Sequence, residues 1–328
     1  MREGKYPVDA VVTWVDGNDP AHRAARMKLD LSGDASKDDV AGDIRFSDLG
    51  EIKYCVASIL RFAPYIRNIY IITDGQDPDL TGFVEKYFPG QSGRLIIVDH
   101  KVIYRGYEKY LPVFNSLSIE TLMWRIPGLS EHFLYFNDDL MLVSDSSVED
   151  YFVDDKIVVY GRYCSLVWAR IDYFLRPRKN GYKPLSFKNF MLNAAKAVGE
   201  NYLMYRLSHS PHPMKVSTFR DFFEKHPDLM EANIKCRFRE PQQFNPAELC
   251  YLLNRQQGNT IRRSAKGPYL YLLPQGHDYM QRHLERFRNA RKAKFCCVNS
   301  LGYAEPDDIR EVLEWLSGRI GIEYPQGK

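Results

Sequence analysis

Apolar and polar positions follow two different patterns along the first half of the chain, one typical of strands and one typical of helices. Four short runs rich in β-branched residues predict strands, at residues 10–15, 69–73, 95–98 and 133–136. Between the first two runs, apolar residues from Leu49 to Leu60 recur at helical spacing, and Asp48 followed by Glu51 resembles a capping box. Strands that alternate with helices are typical of an open α/β sheet.

After about Asp145 the apolar spacing becomes mostly helical and the sequence more basic. Helices are predicted at residues 187–198, 216–225, 246–254, 277–288 and 307–319. Two strands are predicted, one at 157–160 and a late one at 295–298 that could return to the sheet of the first half. The acidic segment 32–43, rich in small residues, is expected to form a mobile surface loop or a lid.

Composition narrows the class of protein. The 328 residues are 45% hydrophobic and 27% charged, which is typical of a soluble folded protein. A net charge of +3 argues against a dedicated nucleic-acid binder and still allows a local basic pocket. We expect no signal peptide and no transmembrane helix, because no window approaches the ~20 apolar residues that a spanning helix needs. The six cysteines include no C-x-x-C pair, so buried free thiols in a cytoplasmic protein are expected rather than zinc or redox sites.

Polar side chains follow each of the four predicted strands. They lie in the segments 14–20, 73–76, 99–100 and 137–139. Each alone is explained by a turn or a helix start, since Asp-Gly is a common turn pair. The carboxyl ends of parallel strands share one sheet edge, where open α/β sheets bind ligands. The four together therefore indicate a ligand site.

Asn137-Asp138-Asp139 is the most distinctive of these segments. Two adjacent carboxylates after a buried strand repel each other unless a cation or hydrogen bonds compensate. Mg²⁺ or Mn²⁺, held by these carboxylates and by substrate phosphates, would supply that charge. A capped turn is the alternative, and it is about as good an explanation when the motif is taken alone.

The sequence contains neither of the common glycine-rich phosphate-binding motifs, which argues against ATPases, kinases and dinucleotide oxidoreductases. Arg237 and Arg239 could instead pair with phosphate, or be ordinary surface arginines. His209 and His212 lie among prolines, and a histidine can accept a proton from a sugar hydroxyl. A zinc site is the rival interpretation, but the H-x-x-H spacing and the lack of a nearby third ligand disfavour it.

These residues resemble the Stealth family, which includes bacterial capsular and exopolysaccharide phosphotransferases and the catalytic subunit of the lysosomal-enzyme N-acetylglucosamine-1-phosphotransferase. Residues 11–20 match the first family region, and the second is similar from Arg45-Phe46 to Asn137-Asp138-Asp139. Segments 187–189, 209–212 and 237–239 resemble the third region. The fourth departs from the pattern, because the family's Asn-Asp pair is Asn299-Ser300 here.

The resemblance implies a Rossmann-like core sheet of the glycosyltransferase-A type, with a mostly helical C-terminal half that completes the active site. Residues 1–145 would bind the nucleotide sugar and the metal, and 146–328 would carry the His and Arg motifs within one integrated catalytic domain. The implied reaction transfers a sugar 1-phosphate, such as N-acetylhexosamine 1-phosphate, from a UDP-sugar to a saccharide hydroxyl. UMP is released, and the product is a phosphodiester in capsular or exopolysaccharide synthesis.

The residues are assigned to roles on this basis. Asp138 and Asp139 are expected to hold the metal, with His209 as general base and Arg239 on the transferring phosphoryl group. The expected catalytic residues are thus His209, Arg239 and Asp139. The expected substrate-binding residues are Thr13, Trp14, Asp16, Gly17, Asp74, Gln76, Asn115, Ser116, Glu120, His212 and Arg237.

Two other functions stay open at this point. A metal-dependent glycosyltransferase would use the same donor and release UDP. A catalytically silent carbohydrate-binding relative is the second, because Ser300 removes an acidic side chain that would contact a metal or the diphosphate. The basic stretch 283–294 would allow peripheral association with a capsule-assembly complex at the inner membrane face.

Overall fold

The computed structural model describes residues 6–29, 49–175 and 187–324. The expected loop at 32–43 and the proposed cap Asp48 lie outside these ranges. The strands are β1 Val8–Thr13, β2 Ile66–Thr73, β3 Leu95–Asp99, β4 His132–Asn137, β5 Leu140–Leu142, β6 Phe152–Val153, β7 Lys156–Ser165, β8 Leu203–Leu207, β9 His212–Lys215, β10 Thr260–Ser264, β11 Tyr269–Leu272 and β12 Phe295–Val298.

The α-helices surround these strands. They are α1 Pro20–Leu29, α2 Glu51–Phe62, α3 Thr81–Tyr87, α4 His100–Ile103, α5 Ser116–Leu122, α6 Leu166–Leu175, α7 Phe187–Ala197, α8 Val216–Lys225, α9 Pro227–Ile234, α10 Pro246–Gln256, α11 His277–Asn289 and α12 Pro306–Ile320. No helix within the described ranges combines the length and apolar character needed to cross a membrane.

A five-stranded sheet forms the centre of the first half, in the order β3-β2-β1-β4-β9. β1 pairs in parallel with β2 and with β4, and β2 pairs in parallel with β3. This order of parallel strands is that of a Rossmann-like sheet, so the expected α/β class is confirmed. The four predicted strands are confirmed too, and their carboxyl ends lie at one edge.

Helix α2 packs against this sheet through the apolar stripe that the sequence predicted. Ile52, Cys55, Val56 and Ile59 are all buried. The helix begins at Glu51, with Gly50 as its N-cap at φ 87°, a left-handed conformation that glycine adopts without strain. The cap therefore differs from the predicted capping box.

The remaining strands form two smaller sheets. β10, β7 and β6 make one, with β8 added beside β7, and β11, β12 and β5 make the other. The expectation that residues 295–298 return to the main sheet is wrong. They do form a strand, β12, but it pairs in parallel with β11 and antiparallel with β5. The second half thus contributes several strands besides the predicted helices.

One continuous hydrophobic core contains residues from both halves of the chain, such as Val11, Phe136, Leu249 and Val298. The contact between the halves includes main-chain pairing, because β9 joins the free side of β4 in antiparallel register. All six cysteines are free, and five of them are buried, as expected for packing residues. The division at residue 145 stays a prediction.

Candidate active site

A cavity of about 570 Å³ opens where the parallel strands of the main sheet end. Its floor is formed by Thr13 at the end of β1 and by residues 137–139 directly after β4. The other walls come from α5, from the segment between β8 and β9, and from the residues after β12. A polar cavity at this edge is the expected place for a ligand in an open α/β sheet.

Most of the predicted site residues line this cavity. They are Thr13, Trp14, Asn115, Ser116, Glu120, Asp138, Asp139, His209, His212 and Arg239. Five others do not line it, namely Asp16, Gly17, Asp74, Gln76 and Arg237. The sequence prediction therefore located one cavity from residues that are up to 226 positions apart in the chain.

The Asp138-Asp139 pair forms an acidic corner after β4. The Asp139 backbone N–H donates to Asp138 Oδ1 at 3.1 Å, and Asn299 Nδ2 donates to Asp139 Oδ2 at 3.0 Å. Asp139 Oδ1 is shielded from solvent and accepts no hydrogen bond within the described part of the chain. Desolvation raises the pKa of Asp139, although the bond from Asn299 and the charge of His209 oppose that rise. The carboxylate of Asp139 therefore has one shielded oxygen whose charge no hydrogen bond from the described residues compensates.

Strand β12 carries Asn299 and Ser300 to this corner. The Val298 N–H donates to Asp139 O at 2.9 Å and fixes the end of the strand against the acidic pair. Ser300 has a left-handed backbone (φ 55°), and its Oγ donates to the neighbouring Asn299 Oδ1 at 3.0 Å. The position that is acidic in the family pattern is thus directed by the backbone to the cavity wall.

A half-buried arginine and a buried carboxyl group lie at the wall formed by α5. Arg239 Nη2 donates to Ser116 Oγ at 2.9 Å, and the charge of Glu120 acts on the same guanidinium. Desolvation raises the pKa of Glu120 to about 7, against the opposing effects of Arg239 and of hydrogen bonds with Tyr135 and Ser116. The cavity therefore holds a fixed positive charge whose carboxyl partner is close to half-protonated at neutral pH.

Asn115 explains how Arg239 is held in place. Its Oδ1 accepts from the Leu117 N–H at 3.1 Å as the N-cap of α5. Its Nδ2 donates to Phe238 O at 2.9 Å and to Gln243 Oε1 at 2.7 Å. The polar atoms of Asn115 thus join α5 to the segment that carries Arg239, and they hold that segment against the helix.

The two predicted histidines reach the cavity through β9. Because β9 runs antiparallel to β4, its first residue, His212, is paired with Tyr135, and the segment before it lies near the acidic corner. Desolvation lowers the pKa of His212 to about 3. Desolvation also lowers the pKa of His209, while the charge of Asp139 opposes this effect. In both residues the desolvation favours the neutral imidazole.

The ring of His209 stacks on Tyr271 of β11, with centroids 5.6 Å apart and planes 24° apart. Phe187 lies on its other flank at 6.3 Å. These aromatic contacts come from two different elements, so the imidazole is held in one orientation at the cavity wall.

The residues after β1 and β2 form a linked pair of turns beside the cavity. The Asp16 N–H donates to Gln76 Oε1 at 2.9 Å, and Gln76 Nε2 donates back to Asp16 O at 3.0 Å. Asp74 Oδ1 is 3.5 Å from His100 Nδ1, and hydrogen bonding and charge from this histidine lower the Asp74 pKa despite its desolvation. The substrate-binding roles expected for Asp16, Gly17, Asp74 and Gln76 stay predictions.

Arg237 differs from Arg239 in its surroundings. Its guanidinium donates to the carbonyl oxygens of Tyr110 at 3.3 Å, Lys109 at 3.3 Å and Leu111 at 3.4 Å. The Phe114 N–H donates to Arg237 O at 2.8 Å. These bonds tie the segment before α5 to the segment after α9, which is a structural use of the side chain. Its expected contact with phosphate stays a prediction.

The cavity also contains residues that were not assigned to the site from the sequence. His22 of α1 and His100 of α4 line the cavity near the end of β1, where the nucleotide was expected to bind. The position of His100 directly after β3 could have identified it from the sequence.

Glu248 of α10 lines the opposite wall. In the sequence it is an ordinary acidic residue in the first turn of a helix, so no local pattern marks it.

Glu248 is fully buried. Its Oε1 accepts from the Leu207 N–H at 3.1 Å, and its Oε2 has no hydrogen-bond partner among the described residues. Desolvation raises its pKa to about 8, against the hydrogen bond from Leu207 and the charge of Arg206. At neutral pH this wall of the cavity therefore presents a protonated carboxyl group.

Fold and cavity together define an α/β protein of Rossmann-like topology with a polar ligand site at the carboxyl edge of its parallel sheet. The family model described as Stealth protein CR1, conserved region 1, matches residues 6–33, and that for Stealth protein CR2, conserved region 2, matches residues 45–159. The chain belongs to the Stealth family. The resemblance to its third and fourth regions stays a prediction.

Several characterised relatives are similar over most of this chain. The receptor polysaccharide phosphotransferase WefC of Streptococcus oralis is 31% identical, covering 94% of this chain and 95% of WefC. The capsular polysaccharide phosphotransferase WcwK of Streptococcus pneumoniae is 28% identical over 94% of this chain and 95% of WcwK. An exopolysaccharide phosphotransferase of Streptomyces coelicolor is 30% identical over 98% of this chain, which spans 56% of that longer relative.

Solved structures align at much lower identity. The galactosyltransferase LgtC, in complex with donor and acceptor sugar analogs, aligns with a TM-score of 0.43 and 12% identity, covering 88% of this chain and 86% of LgtC. The bifunctional glycosyltransferase WbbM aligns with a TM-score of 0.46 over 95% of this chain and 50% of WbbM. Scores this low do not bear on activity.

Proposed function

We propose that the protein transfers a sugar 1-phosphate from a UDP-sugar to a hydroxyl group of a saccharide, in capsular or exopolysaccharide synthesis. The observation that carries this proposal is the convergence of an acidic pair, a half-buried arginine and a histidine with a lowered pKa in one cavity. The names of the relatives support the same reaction class. The cytoplasmic location expected from the sequence belongs to this proposal, because the donor is a nucleotide sugar.

The acidic corner fits a hard divalent cation. Its donors are carboxylate oxygens of Asp138 and Asp139, and Asp139 Oδ1 is shielded and without a hydrogen bond among the described residues. No three His, Cys, Asp or Glu side chains converge as a complete ligand set in the part of the chain that the structure describes. Mg²⁺ and Mn²⁺ sites often take one or two carboxylates and leave other positions to substrate phosphates. When bound, the cation would neutralise charge on the diphosphate.

Arg239 is the residue proposed to bind the transferring phosphoryl group. A guanidinium pairs with two phosphate oxygens at once, and burial strengthens that interaction. Ser116 accepts a hydrogen bond from the guanidinium on the side of α5, and the charge of Glu120 acts on it there. The carboxyl group of Glu120, with a pKa of about 7, can take up a proton when the negatively charged diphosphate approaches.

His209 is proposed as the general base. The acceptor oxygen attacks the β-phosphorus of the donor while its proton moves to the neutral imidazole. A new oxygen–phosphorus bond forms, the pyrophosphate bond breaks, and UMP leaves with the electron pair of that bond. The depressed pKa of His209 keeps the imidazole free to accept the proton at neutral pH. Its stacking on Tyr271 fixes the direction of that transfer.

Product analysis tests this reaction. The protein is incubated with Mg²⁺ or Mn²⁺, a panel of UDP-sugars and oligosaccharide acceptors, and the nucleotide product is separated by chromatography. The proposal expects UMP together with a phosphodiester resonance in phosphorus NMR. The variant Asp139→Asn is expected to lose both products, and chelation of the metal is expected to do the same.

The alternatives give different products. An ordinary glycosyltransferase attacks the anomeric carbon and releases UDP, so UDP without a phosphodiester overturns the proposal. A silent relative binds the donor, detected by calorimetry, and yields neither nucleotide. In that case Ser300→Asp, which restores the acidic side chain of the family pattern at the cavity wall, is the variant in which turnover should be sought.

A further inference from the structure

Helix α6 turns an apolar face to the solvent. This α6 face consists of Val167, Trp168, Ile171, Phe174 and Leu175, of which Trp168 is 71% exposed, Phe174 78% and Leu175 71%. At about 100° per residue these five positions fall within roughly a third of the helix circumference. The residues buried on the opposite side of the helix are Leu166 and Ala169. The helix is thus anchored by small and medium side chains and exposes its largest ones.

Two tyrosines extend this surface. Tyr163, near the end of β7, is 55% exposed, and Tyr202 is 76% exposed. The Leu166 N–H donates to Tyr202 O at 2.9 Å, which fixes Tyr202 beside the first turn of α6. Seven of the eleven large hydrophobic side chains that are exposed within the described ranges lie in this patch. A concentration of this kind on a protein surface marks an interaction site.

Basic side chains border the patch. Arg170 of α6 is exposed, and the exposed Arg262 lies over the ring of Tyr163 at 5.2 Å from its centroid. Arg170 donates to Asn201 O at 3.0 Å, which places its guanidinium next to Tyr202. An aromatic centre with a basic border is the composition that favours the interface of an anionic membrane.

The carboxylates nearest to this border are already engaged with cations. Asp172 Oδ2 accepts from Lys188 Nζ at 2.8 Å, and Glu200 Oε2 accepts from Arg255 Nη1 at 2.6 Å. The border therefore keeps a positive character.

We infer that the α6 face docks this protein on an anionic phospholipid bilayer, with Trp168, Phe174 and Leu175 at the boundary between headgroups and acyl chains. A second copy of the chain is a poorer occupant, because a twofold contact through the α6 face would bring two basic borders together. This inference does not depend on the proposed reaction.

The basic stretch 283–294 is a different kind of surface. The apolar stripe of α11, formed by Met280, Leu284 and Phe287, is buried in the protein. Its basic residues therefore face water without exposed apolar neighbours from that stripe. Charge alone attracts a protein to anionic lipid weakly and in a salt-dependent manner, so α6 offers the stronger contact.

Vesicle co-sedimentation tests the inference. The full chain is mixed with vesicles of phosphatidylcholine and with vesicles that contain equal amounts of phosphatidylglycerol and phosphatidylcholine. We expect binding to the anionic vesicles, weakened about tenfold or more in the double variant Trp168→Ser, Phe174→Ser, because two large apolar side chains would no longer be buried in the bilayer. The matched control is Ile97→Ser, Val102→Ser, which removes two exposed apolar side chains from another surface (42% and 41% exposed).

Fluorescence provides a readout that requires no destabilising variant. Brominated phosphatidylglycerol is expected to quench Trp168 in the wild-type chain, and Trp168→Phe should remove the quenching while binding is retained. The inference is overturned if the wild type binds neither vesicle, or if the double variant binds as well as the control. A change from dimer to monomer in the double variant by light scattering, without vesicle binding by the wild type, would assign the face to self-association instead.

Discussion

Asn115 allows the link between the fold and the candidate site to be measured. Replacing it with alanine removes the N-cap of α5 and a donor to buried acceptors at Phe238 and Gln243. Loss of a cap costs ~1 kcal/mol. Gln243 Oε1 keeps the Glu240 N–H as a donor, so the unsatisfied acceptor is the buried Phe238 carbonyl, which costs a further ~1–3 kcal/mol. The free energy of unfolding of Asn115→Ala should therefore fall by ~2–4 kcal/mol.

Asn245 offers a matched control for this change. It also caps a helix, since its side chain accepts from the Glu248 N–H at 3.0 Å at the start of α10, and it is half-buried. Asn245→Ala should cost ~1 kcal/mol, the value of a cap alone. Urea unfolding followed by circular dichroism measures both variants. Equal destabilisation of the two would refute the reasoning that the amide of Asn115 holds the Arg239 segment to α5.

Three further predictions concern other residues of the cavity. His209→Ala should lower kcat by ~10²–10⁴-fold with little change in the KM for the donor, and near-native turnover would exclude histidine as the base. Arg239→Ala should abolish turnover, whereas Arg237→Ala should lower the melting temperature and keep most of kcat; the reverse would make Arg237 the phosphate ligand. The folded-state pKa of Glu248 is raised to about 8, so its contribution to stability is complete below the unfolded pKa and is lost as pH rises through 8. Glu248→Gln should match the wild type near pH 4, below the unfolded pKa, and should exceed its unfolding free energy in urea by a growing margin as pH rises to about 8, and parallel profiles would contradict the buried neutral carboxyl.

Local pattern explains which elements were predictable. β1, β2 and β4 contain runs of buried apolar residues, and β3 is a run of β-branched and leucine residues. α8 has strongly segregated apolar and polar faces, and it occupies the predicted residues 216–225. β10, with the sequence TIRRS, contains two arginines, and β9 has only four residues. Both are strands because each pairs with a strand that is distant in the sequence. That pairing leaves no periodic pattern in the local sequence, so neither strand could be predicted.

The same distinction applies to the candidate site. Asp138 and Asp139 were found because position after a strand is visible in the sequence. Glu248 and His22 lie on helices, and their burial at the cavity depends on how those helices pack. Asn115 was assigned to the site from the sequence as a substrate-binding residue. Its role in joining α5 to the segment of Arg239 could not be predicted, since its amide contacts residues more than 120 positions away.

The antiparallel edge strand β9 has a consequence for the order of events during synthesis. The four parallel strands are complete once residue 137 has left the ribosome, but β4 then ends the sheet with unpaired main-chain groups. They are covered only when residues 212–215 arrive, and the same pairing brings His209 towards the acidic corner. An unpaired edge invites association with other chains. The residues of the parallel sheet are therefore synthesised before the cavity can be complete. The pairing of β9 with β4 both covers the edge of the sheet and brings His209 to the cavity.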